Sequence, residues 1–408
     1  MLAASTMLAD ELGALVPVAL RGLAGMQDQR TGLFSHKTVA HPDGRLESRG
    51  SNRLYTAACA VGLLSIRAGI GDAHRAQIER ALDALLGADE RDPAVLGTAL
   101  WAAALSGRPE APRLARELSG PSDPRRMSSM QLGLALAGLA RWMRLGERDD
   151  RRVPKSARAL AAELERRYVP RARVFGATEG ARGRNPALAR LTSFASQVYP
   201  VLGLCELSEA TAVAPPPAVA AVCDFLARCQ GPLGQWWWFY STREPKVIEG
   251  YPVYSVHQDA MAFMALLPAT RLGAGEFVDE LTAGLRWIGG ANELGLSMVD
   301  AEAGLIHRSI QRAGGDADGL AGWSRAQRVA AYGAAVSGRP RRAPGRFEVL
   351  RECRSYHLGW LLVAAAMAGA DVEAVAARLP GASSACSRTT SMSARATSSQ
   401  LSAGGGAS

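Results

Sequence analysis

The 408-residue chain is long enough for two or three average domains or one large one, and 48% hydrophobic residues argue against general disorder. Alanine, leucine and glycine dominate while Val/Ile alternation is scarce, which favours helices packed on helices over a large sheet. The formal charge of +9 rests almost wholly on arginine, since lysine occurs only at Lys37, Lys155 and Lys246. Its short clusters, Arg151–Arg152, Arg166–Arg167 and Arg341–Arg342, are scattered and lack interleaved aromatics, so no nucleic-acid partner is expected.

Apolar residues recur at three- and four-residue spacing over ten or more positions in a series of segments. In chain order these are Leu8–Leu23, Tyr55–Ala68, Ala73–Leu86, Ala94–Leu105, Met130–Met143, Ser156–Tyr168, Phe194–Leu207, Ala218–Cys229, Pro252–Leu267, Glu276–Ile288, Ser324–Ala335 and Tyr356–Ala370. Asp10 and Glu11 interrupt what a signal peptide would need, and no apolar run reaches the roughly 20 residues of a membrane span. The expected setting is cytoplasmic, with no membrane span. The six cysteines show no C-x-x-C pair or zinc-finger spacing. Cys59 and Cys205 read as small core residues, and Cys353 with His357 is too few ligands for a metal site. Neither a P-loop nor a dinucleotide fingerprint is present, so no cofactor is expected. From Pro380 the composition turns to Ser, Ala, Gly and Thr, giving a folded helical domain over 1–379 and a disordered tail over 380–408.

Four helices open on a tyrosine followed by small and apolar residues: Tyr55-Thr-Ala-Ala, Tyr199-Pro-Val-Leu, Tyr254-Ser-Val-His and Tyr356-His-Leu-Gly. Their separations fall near multiples of about fifty residues, room for one helical hairpin each. Between helices, Gly32-Leu-Phe-Ser-His with Gly44-Arg-Leu-Glu-Ser-Arg reads as a short β-ribbon. Gly234-Gln-Trp-Trp-Trp-Phe-Tyr with Lys246-Val-Ile-Glu, and Gly304-Leu-Ile-His with Leu296-Ser-Met-Val, read likewise. Met130–Ala140 is apolar on nearly every face, which suits an inner layer and therefore a closed ring rather than an open solenoid. The expected fold is all-α, a ring of about six to seven hairpins with short β-ribbons in the connections.

The densest chemistry lies over Gly234–Asp259. Five consecutive aromatics on an extended segment must point to both faces, so Trp236, Trp237, Trp238 and Tyr240, with Tyr251, form a candidate substrate wall. Pro252 fits the first turn of the next helix, on which Tyr254, His257 and Gln258 would share a face at i, i+3 and i+4. Glu249, Tyr254, His257 and Asp259 then supply candidate acid–base groups at one helix start, though carboxylates there also serve as caps and dipole partners. Asp300 and Glu302 fit a ribbon turn, while His307, Arg308, Glu352, Arg354 and His357 would line the same ring end. His36, Glu47, Arg49 and Arg53 flank the first ribbon.

Helical hairpins of this period closed by Gly-x-aromatic ribbons resemble the α/α-toroid superfamily over roughly residues 8–375. That superfamily includes six-hairpin glycosidases, polysaccharide lyases, sugar epimerases and terpene cyclases. The Asp-x-Asp-Asp motif of squalene-type cyclases and the Cys-His zinc ligands of lanthionine cyclases are absent. Glu249-Gly-Tyr-Pro-Val-Tyr-Ser-Val-His-Gln-Asp-Ala-Met and Arg351-Glu-Cys-Arg-Ser-Tyr-His-Leu-Gly-Trp are similar to a bacterial family linked to polysaccharide biosynthesis. The resemblance implies a carbohydrate-active enzyme, a glycoside hydrolase or a polysaccharide lyase, with a glycan in a toroid cleft. A non-catalytic glycan- or partner-binding protein of polysaccharide assembly is the alternative, and a terpene-cyclase-like activity the third reading.

Overall fold

The computed structural model describes residues 2–41, 43–145, 151–177, 190–313 and 346–370. The expected helix Ser324–Ala335 and the tail from Pro380 lie outside these residues. The described chain is mostly helical with small antiparallel sheets.

The helices alternate between two layers. The inner ones are α2 (Arg53–Ser65), α4 (Pro93–Ser106), α6 (Ser129–Arg144), α8 (Ala195–Thr211), α10 (Ala262–Arg271) and α12 (Ser355–Ala368). Each packs on the next, and α12 returns to both α10 and α2, so the ring closes. Around it stand α1 (Leu2–Met26), α3 (Asp72–Leu86), α5 (Ala111–Leu118), α7 (Arg152–Arg167), α9 (Pro217–Arg228) and α11 (Val278–Gly289). The apolar-all-round segments take the inner positions: α4, α6, α8 and α12 are buried along most of their length. α5, which the spacing does not reveal, is a single short amphipathic stretch with Pro112 inside its first turn. Proline there is tolerated because its N–H would have no helical partner.

Glycines let the inner helices approach to backbone contact. A Cβ on Gly138 of α6 would lie 2.1 Å from the Gly97 carbonyl oxygen of α4, and one on Gly62 of α2 would lie 2.2 Å from that of Gly359 on α12. The starts of these helices are fixed by side-chain caps. Asn52 accepts from the Tyr55 N–H, Asp92 accepts from Ala94 ahead of Pro93, and Ser128 with Gln131 forms a reciprocal capping box. Cys59 and Cys205 are fully buried core residues, and burial pushes both thiols up.

The ribbons are present and more connected than their spacing suggests. β1 (Ser35–Ala40) pairs with β2 (Leu46–Ser51) and, on its other edge, with β13 (Glu352–Cys353), Val39 facing Glu352. β5 (Leu191–Ser193), β6 (Phe239–Ser241) and β7 (Val247–Glu249) form a second sheet. β8 (Val253–Tyr254), β11 (Ser309–Arg312) and β12 (Phe347–Leu350) form a third, with Ser309 facing both Tyr254 and Leu350. Two-stranded ribbons join β3 (Tyr168–Val169) to β4 (Val174–Phe175) and β9 (Val299–Asp300) to β10 (Leu305–Ile306). These long-range pairings bring segments far apart in sequence onto one end of the ring.

Pro252 does not open a helix. The Tyr251–Pro252 bond is cis, Val253–Tyr254 is strand, and a π-helical turn over His257–Met261 leads into α10. A strand pairing to Ser309 and Ile310 outcompetes the local helical periodicity, because it satisfies the backbone of Val253 and Tyr254 within a sheet.

Candidate active-site cavity

A cavity of about 280 Å³ opens at the mouth of the ring where the inner helices begin. Tyr55 from α2, Tyr199 from α8, Tyr254 from β8 and Tyr356 from α12 all line it, so the four repeat-marking tyrosines converge on one space. Trp238, Trp360, His257, Arg308 and Ser193 complete its polar and aromatic lining, with Met130, Leu134 and Met261 among the apolar groups. No described residue lining it carries a carboxylate.

The aromatic contacts are continuous. Tyr55 and Tyr356 have ring centroids 4.4 Å apart, and Trp238 meets Tyr254 edge-on at 5.6 Å. Tyr199 accepts a 3.0 Å hydrogen bond from the Trp360 indole, and burial pushes its phenol up. His257 lies 5.3 Å from Tyr254 and 4.5 Å from Phe194, ring to ring. His257 is the first residue of the π-helical turn that leads into α10.

Burial drives His257 down to about 3, against a hydrogen bond to the Trp236 backbone that favours the charged form. Its imidazole is therefore neutral at physiological pH. Its Nδ1 is buried and has no hydrogen-bond partner among the described residues. Burial has the opposite consequence for Tyr254, raising its phenol although Arg308 and Arg354 pull it down. The two groups are thus both uncharged, one as a proton acceptor and the other as a donor.

Arg308 reaches the cavity with its guanidinium carbon 5.3 Å from the Tyr254 ring centroid. Its Nη1 donates to Glu352 Oε1 at 2.5 Å. The same oxygen accepts from Arg354 Nε at 2.9 Å, and Lys37 Nζ stands 3.4 Å from Oε2. Arg354 in turn donates to His36 Nε2 at 2.7 Å, and His36 stacks on Tyr55 at 5.2 Å. Burial opposes ionisation of Glu352, but the Arg308 hydrogen bond and the neighbouring cations outweigh it and hold the carboxyl below its usual range.

Of the sequence-derived residues, Trp238, Tyr254, His257 and Arg308 line this cavity. Glu352 and Arg354 stand behind Arg308. Asp259 and His357 lie fully within the core, joined by a 2.8 Å hydrogen bond between Oδ1 and Nε2. Glu249 caps its own turn by accepting from the Tyr251 N–H at 3.1 Å. Gln258 clamps the aromatic segment, accepting from Trp236 N at 3.1 Å and donating to the Tyr254 carbonyl at 3.1 Å.

The five aromatics do not follow simple strand alternation, since the strand begins only at Phe239. Trp236 packs beside Phe194 and Tyr240 against Phe225, both fully buried, and neither lines the cavity. Trp237 turns outward to Tyr251 at 6.0 Å. Tyr251 donates to Glu293, a carboxylate that also accepts from Gln235 and the Trp287 indole. Glu293 lies in a glycine-flanked turn after α11 with no distinguishing motif, and only the fold reveals its role.

His307 and Arg308, consecutive in sequence, face different spaces. His307, Asp300, Glu302 and Arg351 border a second cleft of about 550 Å³, reached from the first ribbon through His41 and Leu46. The expected single ring-end grouping therefore separates into two, because neighbouring residues of extended chain point to opposite sides. Glu47 and Arg49 of β2 pair with each other, and His41 of the β1–β2 turn hydrogen-bonds Glu47. Among the described residues no group of three His, Cys, Asp or Glu side chains could hold a metal ion, and no helix is long and apolar enough to cross a membrane.

No protein-family model matches the sequence, and neither does any curated protein sequence. Solved structures do match in fold. A possible member of the GH105 family from Salmonella enterica serovar Paratyphi A superposes with a TM-score of 0.57 at 13% identity, covering 88% of this chain and 93% of that one. A possible GH105 member from Klebsiella pneumoniae gives 0.55 at 12% identity, covering 88% and 92%. A glycosyl hydrolase family 88 protein from Bacteroides vulgatus gives 0.55 at 9% identity, covering 87% and 98%. The fold is an α/α toroid, as in these structures.

Proposed function

We propose that this protein is a carbohydrate-active enzyme that binds a uronate-containing glycan in the tyrosine-lined cavity and cleaves it by β-elimination. The observation that carries this reading is the meeting of Tyr254, His257 and Arg308 in one cavity whose described lining has no carboxylate. A two-carboxylate hydrolysis needs an acid and a base on either side of the scissile bond. Glu249 and Asp259 are each engaged elsewhere, by Tyr251 and His357.

In the proposed step, Arg308 pairs with the uronate carboxylate and so favours loss of the adjacent C5 proton. The neutral His257 imidazole takes that proton. The C5–H electron pair becomes the C4=C5 double bond, the C4–O bond breaks, and the leaving oxygen takes the Tyr254 phenolic proton. Solvent then returns a proton to Tyr254 and removes one from His257. Trp238 and Tyr55 offer flat faces to the sugar ring. Similarity of fold to glycosyl hydrolases is consistent with carbohydrate as the substrate class, although fold by itself leaves the reaction open.

The test is digestion of a panel of neutral and uronic-acid glycans, followed in the ultraviolet for the conjugated product that elimination forms and hydrolysis does not. New reducing ends without that absorbance would replace elimination by hydrolysis. No cleavage of any glycan, with saturable binding retained, would favour the non-catalytic reading. That reading draws on the same aromatic lining.

A further inference from the structure

We propose that Glu352 is the positioning residue of this cavity, fixing the Arg308 guanidinium where an anionic sugar meets it. This rests on the reading of the cavity as a uronate site.

Glu352 does not line the cavity and is 2% exposed, so it has no route to a substrate. Its place is set by backbone pairing, since β13 is held against β1 with Glu352 opposite Val39. Arg308 immediately precedes β11 of a different sheet, where its N–H donates to the Leu350 carbonyl and its carbonyl accepts from Ser255. The Glu352–Arg308 contact of 2.5 Å therefore ties two sheets together at the cavity's edge. An arginine side chain is long and flexible, and a charge-assisted contact of this kind selects one of its many rotamers. Here the choice is bounded on one side by Glu352 and on the other by the Tyr254 ring.

Arg354 keeps the carboxylate itself from turning. It contacts Oε1 through Nε at 2.9 Å and Nη2 at 2.7 Å, and its Nη1 reaches His36, the residue stacked on Tyr55. Lys37 sits beside the other oxygen. A carboxylate held by cations on both oxygens is kept ionised, which suits an anchor and disqualifies it as a proton donor. The assignment is therefore action through Arg308 and not contact with substrate.

The experiment is a double-mutant cycle read by calorimetric binding of D-glucuronate and D-galacturonate, with D-glucose as the neutral probe. Wild type, Glu352→Gln, Arg308→Gln and the double variant are compared in the full-length protein. Wild type binds a uronate more tightly than glucose. Glu352→Gln loses about tenfold in uronate affinity and leaves glucose binding unchanged, and the double variant is no weaker than Arg308→Gln alone. A purely structural role would weaken both sugars together. Should Glu352→Gln keep the full uronate preference, or lose affinity additively with Arg308→Gln, positioning is overturned while the uronate site stands. Absence of any uronate preference in wild type overturns the site itself. If Glu352→Gln fails to fold, Glu352→Asp enters the same cycle; it keeps the charge but draws it back from Arg308, and a smaller, uronate-selective loss is expected. Equal loss for glucose overturns the proposal.

Discussion

Tyr55 and Tyr356 pack 4.4 Å apart, ring centroid to ring centroid, although one begins the first inner helix and the other the last. Their contact is where the ring closes on itself, and it forms part of the cavity wall. Closure and site are therefore one structural event.

Removing the Tyr254 hydroxyl takes away the proposed proton donor and leaves the ring under Arg308. Tyr254→Phe is expected to lower kcat by about 100-fold or more, the usual scale for a general acid, with sugar affinity changed less than threefold. Steady-state kinetics on an active uronate polymer checks this. An unchanged kcat would remove Tyr254 from the reaction.

Trp236 and Trp238 are two residues apart yet have different surroundings. Trp238→Ala removes cavity wall and is expected to weaken glycan binding with little change in melting temperature. Trp236→Ala empties a fully buried site and is expected to cost about 3–5 kcal/mol of stability. Urea denaturation and calorimetric binding on both variants give the comparison, and equal effects in both assays would contradict the assigned placement.

Asp259 serves His357 inside the core. Asp259→Ala is expected to cost about 3 kcal/mol, because it strands a buried imidazole without its partner. Asp259→Asn retains an acceptor oxygen and costs less. Activity per folded molecule should stay within about tenfold for Asn; a loss closer to the thousandfold of a missing acid–base group would place Asp259 in the chemistry.

His257 links stability to pH. Its folded-state value of about 3 lies below the ordinary 6.5, so on acidification the unfolded chain takes up this proton first. Stability from this group is complete above about pH 6.5 and declines toward pH 3, at up to about 1.4 kcal/mol per pH unit. His257→Gln should flatten that part of the stability profile measured by denaturant titration at several pH values. An identical slope in the variant would mean that the imidazole is charged or exposed in the fold.

Gly138 sits where a Cβ would lie 2.1 Å from the Gly97 carbonyl oxygen. Gly138→Ala is expected to destabilise by about 1–3 kcal/mol or more through forced separation of α4 and α6. Gly107→Ala meets no atom but must adopt a positive φ, so any loss there is conformational. Thermal melts of both variants compare contact with backbone strain.

Several features were set by the sequence alone. Apolar residues on every face of Met130–Ala140 can be satisfied only by neighbours on all sides, which dictates an inner helix whatever the detailed topology. Gly-x-aromatic turns and their complementary segments dictate the ribbons, since short-range pairing needs only alternation and a turn. Asn52, Asp92 and Ser128 dictate helix starts for the same local reason. The tertiary structure alone decided which side chains share a space. Glu352 meets Arg308 because β13 pairs with β1 while Arg308 lies beside the neighbouring sheet, and neither pairing follows from local periodicity. His257 lines the cavity while Gln258 turns to the Trp236 backbone, because strand at Val253–Tyr254 and a π-helical turn replace the α-helix that would have put both on one face. Strand partners far apart in sequence and one extra residue in a turn are decided by the balance of the whole packed molecule, so the residues were legible one by one and the site only together.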